Sequence, residues 1–183
     1  MEIINKEKEM PNQGSDVGSA KATDILKQAI LLERRGQAFY QTAAEQTKNT
    51  AVKEFFTAMA KEEAVHISIL SSQYREYLKT GQFLSDRSAA EAGGEVAERV
   101  LSEELKGKIS AADFEAAAIS AAMAMEERAI KLYVKRAAET EDAEEKALYE
   151  WLSKWETGHL EMLAAMDRDL TEEIWNDNNF WPF

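Results

Sequence analysis

The sequence predicts an all-α protein: four long helices, built as two antiparallel hairpins joined by a long crossover. Three observations carry that prediction. Apolar residues recur every three or four positions over long stretches, as a helix with one buried face requires. The 183 residues include only two prolines, so long helices go unbroken. The chain also repeats itself. A shift of 93 residues carries Glu33 onto Glu126, Arg35 onto Arg128, Tyr40 onto Tyr133, Glu63 onto Glu156, His66 onto His159 and Leu70 onto Leu163. The segments AILLERRGQAFYQTAA and AMAMEERAIKLYVKRA are visibly related, so the two hairpins read as duplicates.

The first helix is expected from about Thr23 to Lys48, after a polar leader over 1–21 with no apolar run of signal-peptide length. Asn49-Thr50 breaks the chain, and Thr50 is the candidate cap of the second helix. That helix runs to Thr80, where Gly81 can stop it. Ser110 can cap the third helix, with Asp113 as a capping-box variant, and the helix runs to about Glu139. The fourth starts near Glu141 and reaches the low 170s. Residues 81–109 form the crossover, too long for a plain loop, with a short helix expected over Ala97 to Leu105. The domain therefore spans 22–172, with repeats 22–80 and 110–172. Hairpin, long crossover, hairpin is the topology of a ferritin-like four-helix bundle. The last residues, 173–183, hold Trp175, Phe180, Trp181, Pro182 and Phe183, an aromatic tail suited to packing on the bundle or to contact with another subunit.

Composition narrows the function. Net charge is −12, and no basic patch carries interleaved aromatics, so nucleic acid is not expected as a partner. No segment is apolar enough to span a bilayer, so no membrane role is expected either. The chain has no cysteine, which removes disulfides, thiolate metal sites and Cys nucleophiles, and fits a cytoplasmic protein.

Both histidines of the chain occur as Glu-x-x-His: Glu63 with His66, and Glu156 with His159. At that spacing each pair shares a helix face, and the face is the apolar one. In the second helix the stripe reads Val52, Phe56, Met59, Glu63, His66, Leu70. Glu33 interrupts the stripe of the first helix between Ala29 and Gly36, and Glu126 that of the third between Ala122 and Ala129. The fourth aims Glu156 and His159 inward between Leu152 and Leu163. A solvated charge run would sit on the opposite face. Glu33 and Glu63 are each 15 residues from their midpoint, which falls on the first turn, and Glu126 and Glu156 repeat this about the second. All four thus lie about 22 Å from a turn at 1.5 Å per residue, in one layer. Four buried carboxylates without compensation would be prohibitive. Two divalent ions neutralise them while both imidazoles stay neutral, and carboxylates with one imidazole per metal suit iron or manganese, with zinc also possible.

These motifs resemble the rubrerythrin and ferritin-like superfamily of di-iron proteins. LLERRGQAFY with KEEAVH, and MEERAIKLY with KWETGH, carry the resemblance over roughly 22–80 and 110–172. It implies Glu33, Glu63, His66, Glu126, Glu156 and His159 as ligands of two iron ions, with either Glu63 and Glu156 or Glu33 and Glu126 bridging. Rubrerythrins add a cysteine-ligated iron domain and a further glutamate one turn after the third-helix ligand. This chain has no cysteine, and that position is Ala129, with Gly36 as its repeat mate. The ligand set is therefore closer to a plain ferritin-like or bacterioferritin site. Tyr40 and Tyr133, two turns beyond Glu33 and Glu126, can hydrogen-bond ligand carboxylates or simply fill the core. Glu62 and Glu127 point about 100° away from their neighbours and are not expected to be ligands. Five methionines (59, 123, 125, 162 and 166) read as packing. The expected function is a rubrerythrin-like di-iron oxidoreductase that reduces hydrogen peroxide or dioxygen. Its electrons would come from a separate redox protein, and a homodimer is expected. The alternatives are a ferroxidase that handles iron, or a redox-inert helical module held together by metal.

Overall fold

The computed structural model describes residues 13–85 and 114–176, and within them the only regular elements are four α-helices. They are α1 (Gln13–Gln46), α2 (Thr50–Thr80), α3 (Phe114–Glu139) and α4 (Ala143–Asn176). α1 packs on α2 and α3 on α4, and α1 also lies against α3. This is the four-helix bundle of two hairpins that the periodicity predicts. None of the described helices is long and apolar enough to cross a membrane.

The helix ends refine the sequence reading. Asn49, not Thr50, caps α2: its Oδ1 accepts from the N–H groups of Ala51 and Val52 at 3.0 and 3.3 Å. Asparagine is the stronger cap because its carbonyl reaches two amides that the first turn leaves unpaired. Gly81 ends α2 at φ 72°, the left-handed conformation that favours glycine. Asp142 caps α4, accepting from Glu144 and Glu145 N–H at 2.9 Å each. α1 starts at Gln13, earlier than Thr23, running through Gly14 and Gly18, with no proline after Pro11 to stop it. α4 continues through Asn176, so the chain around Trp175 is helix and not tail. Ser110, Asp113, the crossover helix over 97–105 and the aromatics at 180–183 lie outside the described residues.

The buried stripe of α1 is Ala22, Leu26, Ala29, Glu33, Gly36, Tyr40 and Ala43, a strict alternation of four- and three-residue steps. Two apolar clusters result. One gathers Tyr40, Phe55, Phe56, Met59, Ile119 and Leu163, and the other Leu26, Leu70, Tyr133, Leu148, Tyr149 and Leu152. The charged positions of the stripes fall between them. The repeat extends to ring geometry. Tyr40 stacks on Phe56 with centroids 6.0 Å apart, and their mates Tyr133 and Tyr149 stack at 5.7 Å.

Among the described residues, only the second hairpin has a buried Arg–Glu ion pair at its turn. Arg136 donates through Nε and Nη2 to the two oxygens of Glu145, at 2.7 and 2.6 Å. Its repeat mates are Ala43 and Val52, so the first turn is closed by apolar packing and the Asn49 cap instead. Glu145→Ala should destabilise the fold by about 2 kcal/mol in urea unfolding. That is below the ~3–5 kcal/mol for breaking a fully buried pair, because Arg136 borders an open cavity.

Candidate metal centre

Each helix delivers its carboxylate by the same rule: one position of the core stripe is glutamate. Glu33, Glu63, Glu126 and Glu156 are all buried, as are His66 and His159. The structure brings the six together in two overlapping groups. Glu33, Glu63, His66 and Glu156 form one, and Glu63, Glu126, Glu156 and His159 the other. Within each group one ligand atom per residue lies within 4.8 Å of all the others. Glu63 and Glu156 belong to both. Of the two bridging arrangements that the resemblance leaves open, this geometry corresponds to the Glu63–Glu156 pair.

The donor atoms converge. His66 Nδ1 lies 2.8 Å from Glu156, 3.2 Å from Glu33 and 3.6 Å from Glu63. His159 Nδ1 lies 3.0 Å from Glu156, 3.8 Å from Glu63 and 3.9 Å from Glu126. One proton on a ring nitrogen serves one acceptor, so three carboxylates around each Nδ1 suit a cation better than a hydrogen bond. Glu63 Oε2 and Glu156 Oε1 are buried with no hydrogen-bond donor among the described residues. His66 approaches Glu156 Oε1 closely, but as an ionic contact and not as an aligned hydrogen bond. Lone pairs aimed at a shared point, on hard oxygen and imidazole donors, fit one or two divalent ions.

The tyrosines tie the two repeats together. Tyr40, on α1, donates its O–H to Glu126 on α3, and Tyr133, on α3, donates to Glu33 on α1. Burial and the facing carboxylates push both phenols well above their usual range, so they stay neutral and keep donating. Tyr133 thereby fixes Oε1 of Glu33 and leaves Oε2 facing His66, whereas Tyr40 holds Oε1 of Glu126, the oxygen that also faces His159.

Without metal, protons take the place of cations. Burial and the neighbouring Glu156 raise Glu63 and Glu126 well above the usual carboxylate range. Burial also works against the charged forms of His66, His159 and Glu156, but their mutual attraction outweighs it. His159 is raised to about 10, His66 is raised as well, and Glu156 is held well below the usual range. Glu156 is thus the anion between two imidazolium rings whose centroids are 5.8 Å apart.

Gly36, where the first repeat could have carried another side chain, backs directly onto the site. A Cβ there would sit 3.3 Å from the Glu63 carboxylate carbon. Gly36→Ala gains helix propensity of up to about 1 kcal/mol but presses on a shared carboxylate. The expected outcome is a melting temperature little changed without metal and a several-fold weaker hold on Mn²⁺ in calorimetric titration.

Glu62 and its partner Trp155 escaped the sequence reading. Glu62 is not in either donor group, yet it is buried and faces His159. Its Oε2 lies 2.8 Å from His159 Nε2 and accepts from Trp155 Nε1 at 2.8 Å. A helix-wheel angle of 100° removes a residue from the centre but still leaves it within reach of the next helix. The available signal was the repeat itself: Glu62 maps onto Trp155, which no exposed position needs. Glu127, by contrast, is exposed. Beside Glu62 and His159 opens a cavity of about 280 Å³, walled by Trp151, Trp155 and Met162. Gly158 lines it, and a Cβ there would meet nothing within 4 Å among the described residues.

Comparison with known proteins agrees with the site. No curated protein and no solved structure matches the chain. The rubrerythrin family model matches residues 24–167, from the first turns of the α1 stripe to just beyond Met166. With that match over most of its length, and with paired carboxylate–histidine groups at the centre of its bundle, the chain belongs to the rubrerythrin family.

Proposed function

We propose that this chain is a non-haem di-iron oxidoreductase that reduces hydrogen peroxide, or dioxygen, with electrons from a separate redox protein. The observation that carries this reading is the pair of overlapping donor groups, each with its own histidine and sharing Glu63 and Glu156. Glu33, Glu63, His66 and Glu156 would hold one ion, and Glu63, Glu126, Glu156 and His159 the other. A ferrous pair held there would supply two electrons, one from each ion, which with two protons reduce one peroxide to two waters. The protein's share is to fix both positions on rigid helices, to bury them between two apolar clusters, and to orient Glu33 and Glu126 through the tyrosines. These 183 residues have no cysteine and so no thiolate-bound iron to relay electrons, which supports assigning the donor's role to a separate redox protein.

A second reading is ferroxidase activity in iron handling. It is favoured by Gly36 and Ala129, which supply no further carboxylate at those two positions. One experiment separates the two. The metal-free protein is reconstituted anaerobically with ferrous iron and then mixed with peroxide or with air. Two irons per chain, oxidised much faster by peroxide than by air, support peroxide reduction. Equal or faster oxidation by air, with excess ferrous iron consumed and retained, supports the ferroxidase. Iron that binds but stays ferrous overturns both and leaves a structural metal site.

A further inference from the structure

The 93-residue repeat makes the two donor groups mates of each other, but the residues behind the histidines are not mates in chemistry. Behind His159 stands Glu62, and at the equivalent position behind His66 stands Trp155. The consequence lies at the outer nitrogens. A histidine that offers Nδ1 to a metal must carry its proton on Nε2. For His159 that proton meets a carboxylate oxygen 2.8 Å away, itself held by the Trp155 N–H. A carboxylate behind a ligating imidazole fixes its tautomer and ring angle and makes the inner nitrogen a better donor. Trp155 Nε1 also lies 3.1 Å from His159 Nε2, so the indole stands against this ring edge as well. For His66 the same tautomer has no such acceptor. Its Nε2 is buried without a hydrogen-bond partner among the described residues. The Trp155 ring stands perpendicular to it at 4.7 Å, with Trp151 at 5.9 Å. An indole ring there fills space and excludes water but offers no full-strength acceptor for the ring proton.

We infer that the two positions load in order: the first divalent ion goes to Glu63, Glu126, Glu156 and His159, because Glu62 readies that histidine, and the second goes to the His66 side more weakly. Glu62 is a positioning residue, acting on the metal through His159. This rests on the two-metal reading above. It also means that the shared carboxylates Glu63 and Glu156 are first committed to the His159 side, and that the His66 position is completed on a centre already holding one cation.

The test is titration of the metal-free full-length chain with Co²⁺, followed by calorimetry and by the visible absorption of the bound ion. The expected result is two ions per chain in two resolved steps, the first at least ten-fold tighter. Glu62→Gln keeps the shape but removes the charge. It should weaken the first step by about 10–100-fold and leave the second within about three-fold. His66→Gln should keep the tight step and its spectrum, and His159→Gln should lose them. This pair decides the order even if the Glu62 variant folds poorly, which circular dichroism reports. Two ions of indistinguishable affinity, or a tight step that survives His159→Gln and vanishes in His66→Gln, overturns the inference and leaves the two-metal reading standing. Equal weakening of both steps by Glu62→Gln also overturns the role given to Glu62. A chain that binds no Co²⁺ overturns the reading and the inference together.

Discussion

Glu156→Ala is expected to abolish binding of both ions and to lower the stability of the metal-free protein by about 3 kcal/mol. The first effect follows from sharing. Glu156 offers an oxygen to each donor group, so its loss leaves neither complete. The second follows from charge. Glu156 is the anion nearest both His66, at 2.8 Å, and the Nδ1 of His159, at 3.0 Å. Removing one partner of a buried ionic cluster costs about 3–5 kcal/mol, here at the low end because the imidazoles can shed their protons. Glu63 gives the contrast. It is shared in the same way, but without metal it is held as the neutral acid by burial and by Glu156 and Glu33. Glu63→Gln should therefore also lose both ions, yet change metal-free stability by less than about 1 kcal/mol, since an amide replaces an uncharged carboxyl of similar shape. Metal content by elemental analysis and urea midpoints in chelator check both. A Glu156→Ala protein that keeps one tight ion would show that the carboxylate is not shared.

The contrast between these two glutamates marks what the sequence could and could not tell. That both lie on the core face is a matter of period, and the 3.6-residue repeat places Glu63 and Glu156 as firmly as it places Met59 and Leu163. That all four carboxylates meet in one layer follows from equal distances to two short turns. The bundle, the hairpins and the six converging residues are therefore legible from spacing alone. Roles that depend on tertiary approach are not. Glu63 and Glu156 are repeat mates, but one is neutral and one ionised without metal, because Glu156 stands 2.8 and 3.0 Å from the two histidines and Glu63 only 3.6 and 3.8 Å. Glu62 looks solvent-facing on a helical wheel, yet the neighbouring helix brings His159 and Trp155 to it. Tyr40 and Tyr133 were equally good as core residues or as donors, and the choice depends on which helix faces them across the bundle: each reaches the other repeat, not its own. The caps also turned on local detail, since Asn49 and Thr50 are both capable and only backbone geometry selects Asn49.

Raising the pH from 6 to 9 should lower the stability of the metal-free protein and widen its gap from the metal-loaded form. The sign follows from which state holds more protons. His66 and His159 are raised in the fold, the latter to about 10, against about 6.5 for an unfolded histidine. Their contribution is complete below about 6.5 and fades as pH climbs through the folded values. Glu63 and Glu126 are raised too, so their contribution is complete below the ordinary carboxylate value of about 4.3 and fades upward from there. Glu156 is lowered and works in the opposite sense: its contribution is present above about 4.3 and is lost only as pH falls through its folded value, outside this window. Across pH 6 to 9 the folded metal-free chain therefore binds more protons than the unfolded one, and its stability declines with pH. Cations compete with those same protons, so metal affinity rises over the same range and loading releases protons to the medium. Melting curves in chelator and in Mn²⁺ at pH 6, 7.5 and 9 should diverge, and the calorimetric heat of Mn²⁺ binding should vary with the ionisation heat of the buffer. Parallel curves with no buffer dependence would mean that the metal-free cluster already holds neutral imidazoles. Glu156 would then be buried without a counter-ion, and the burial of all six groups would need a different compensation from the one that protons and metals share here.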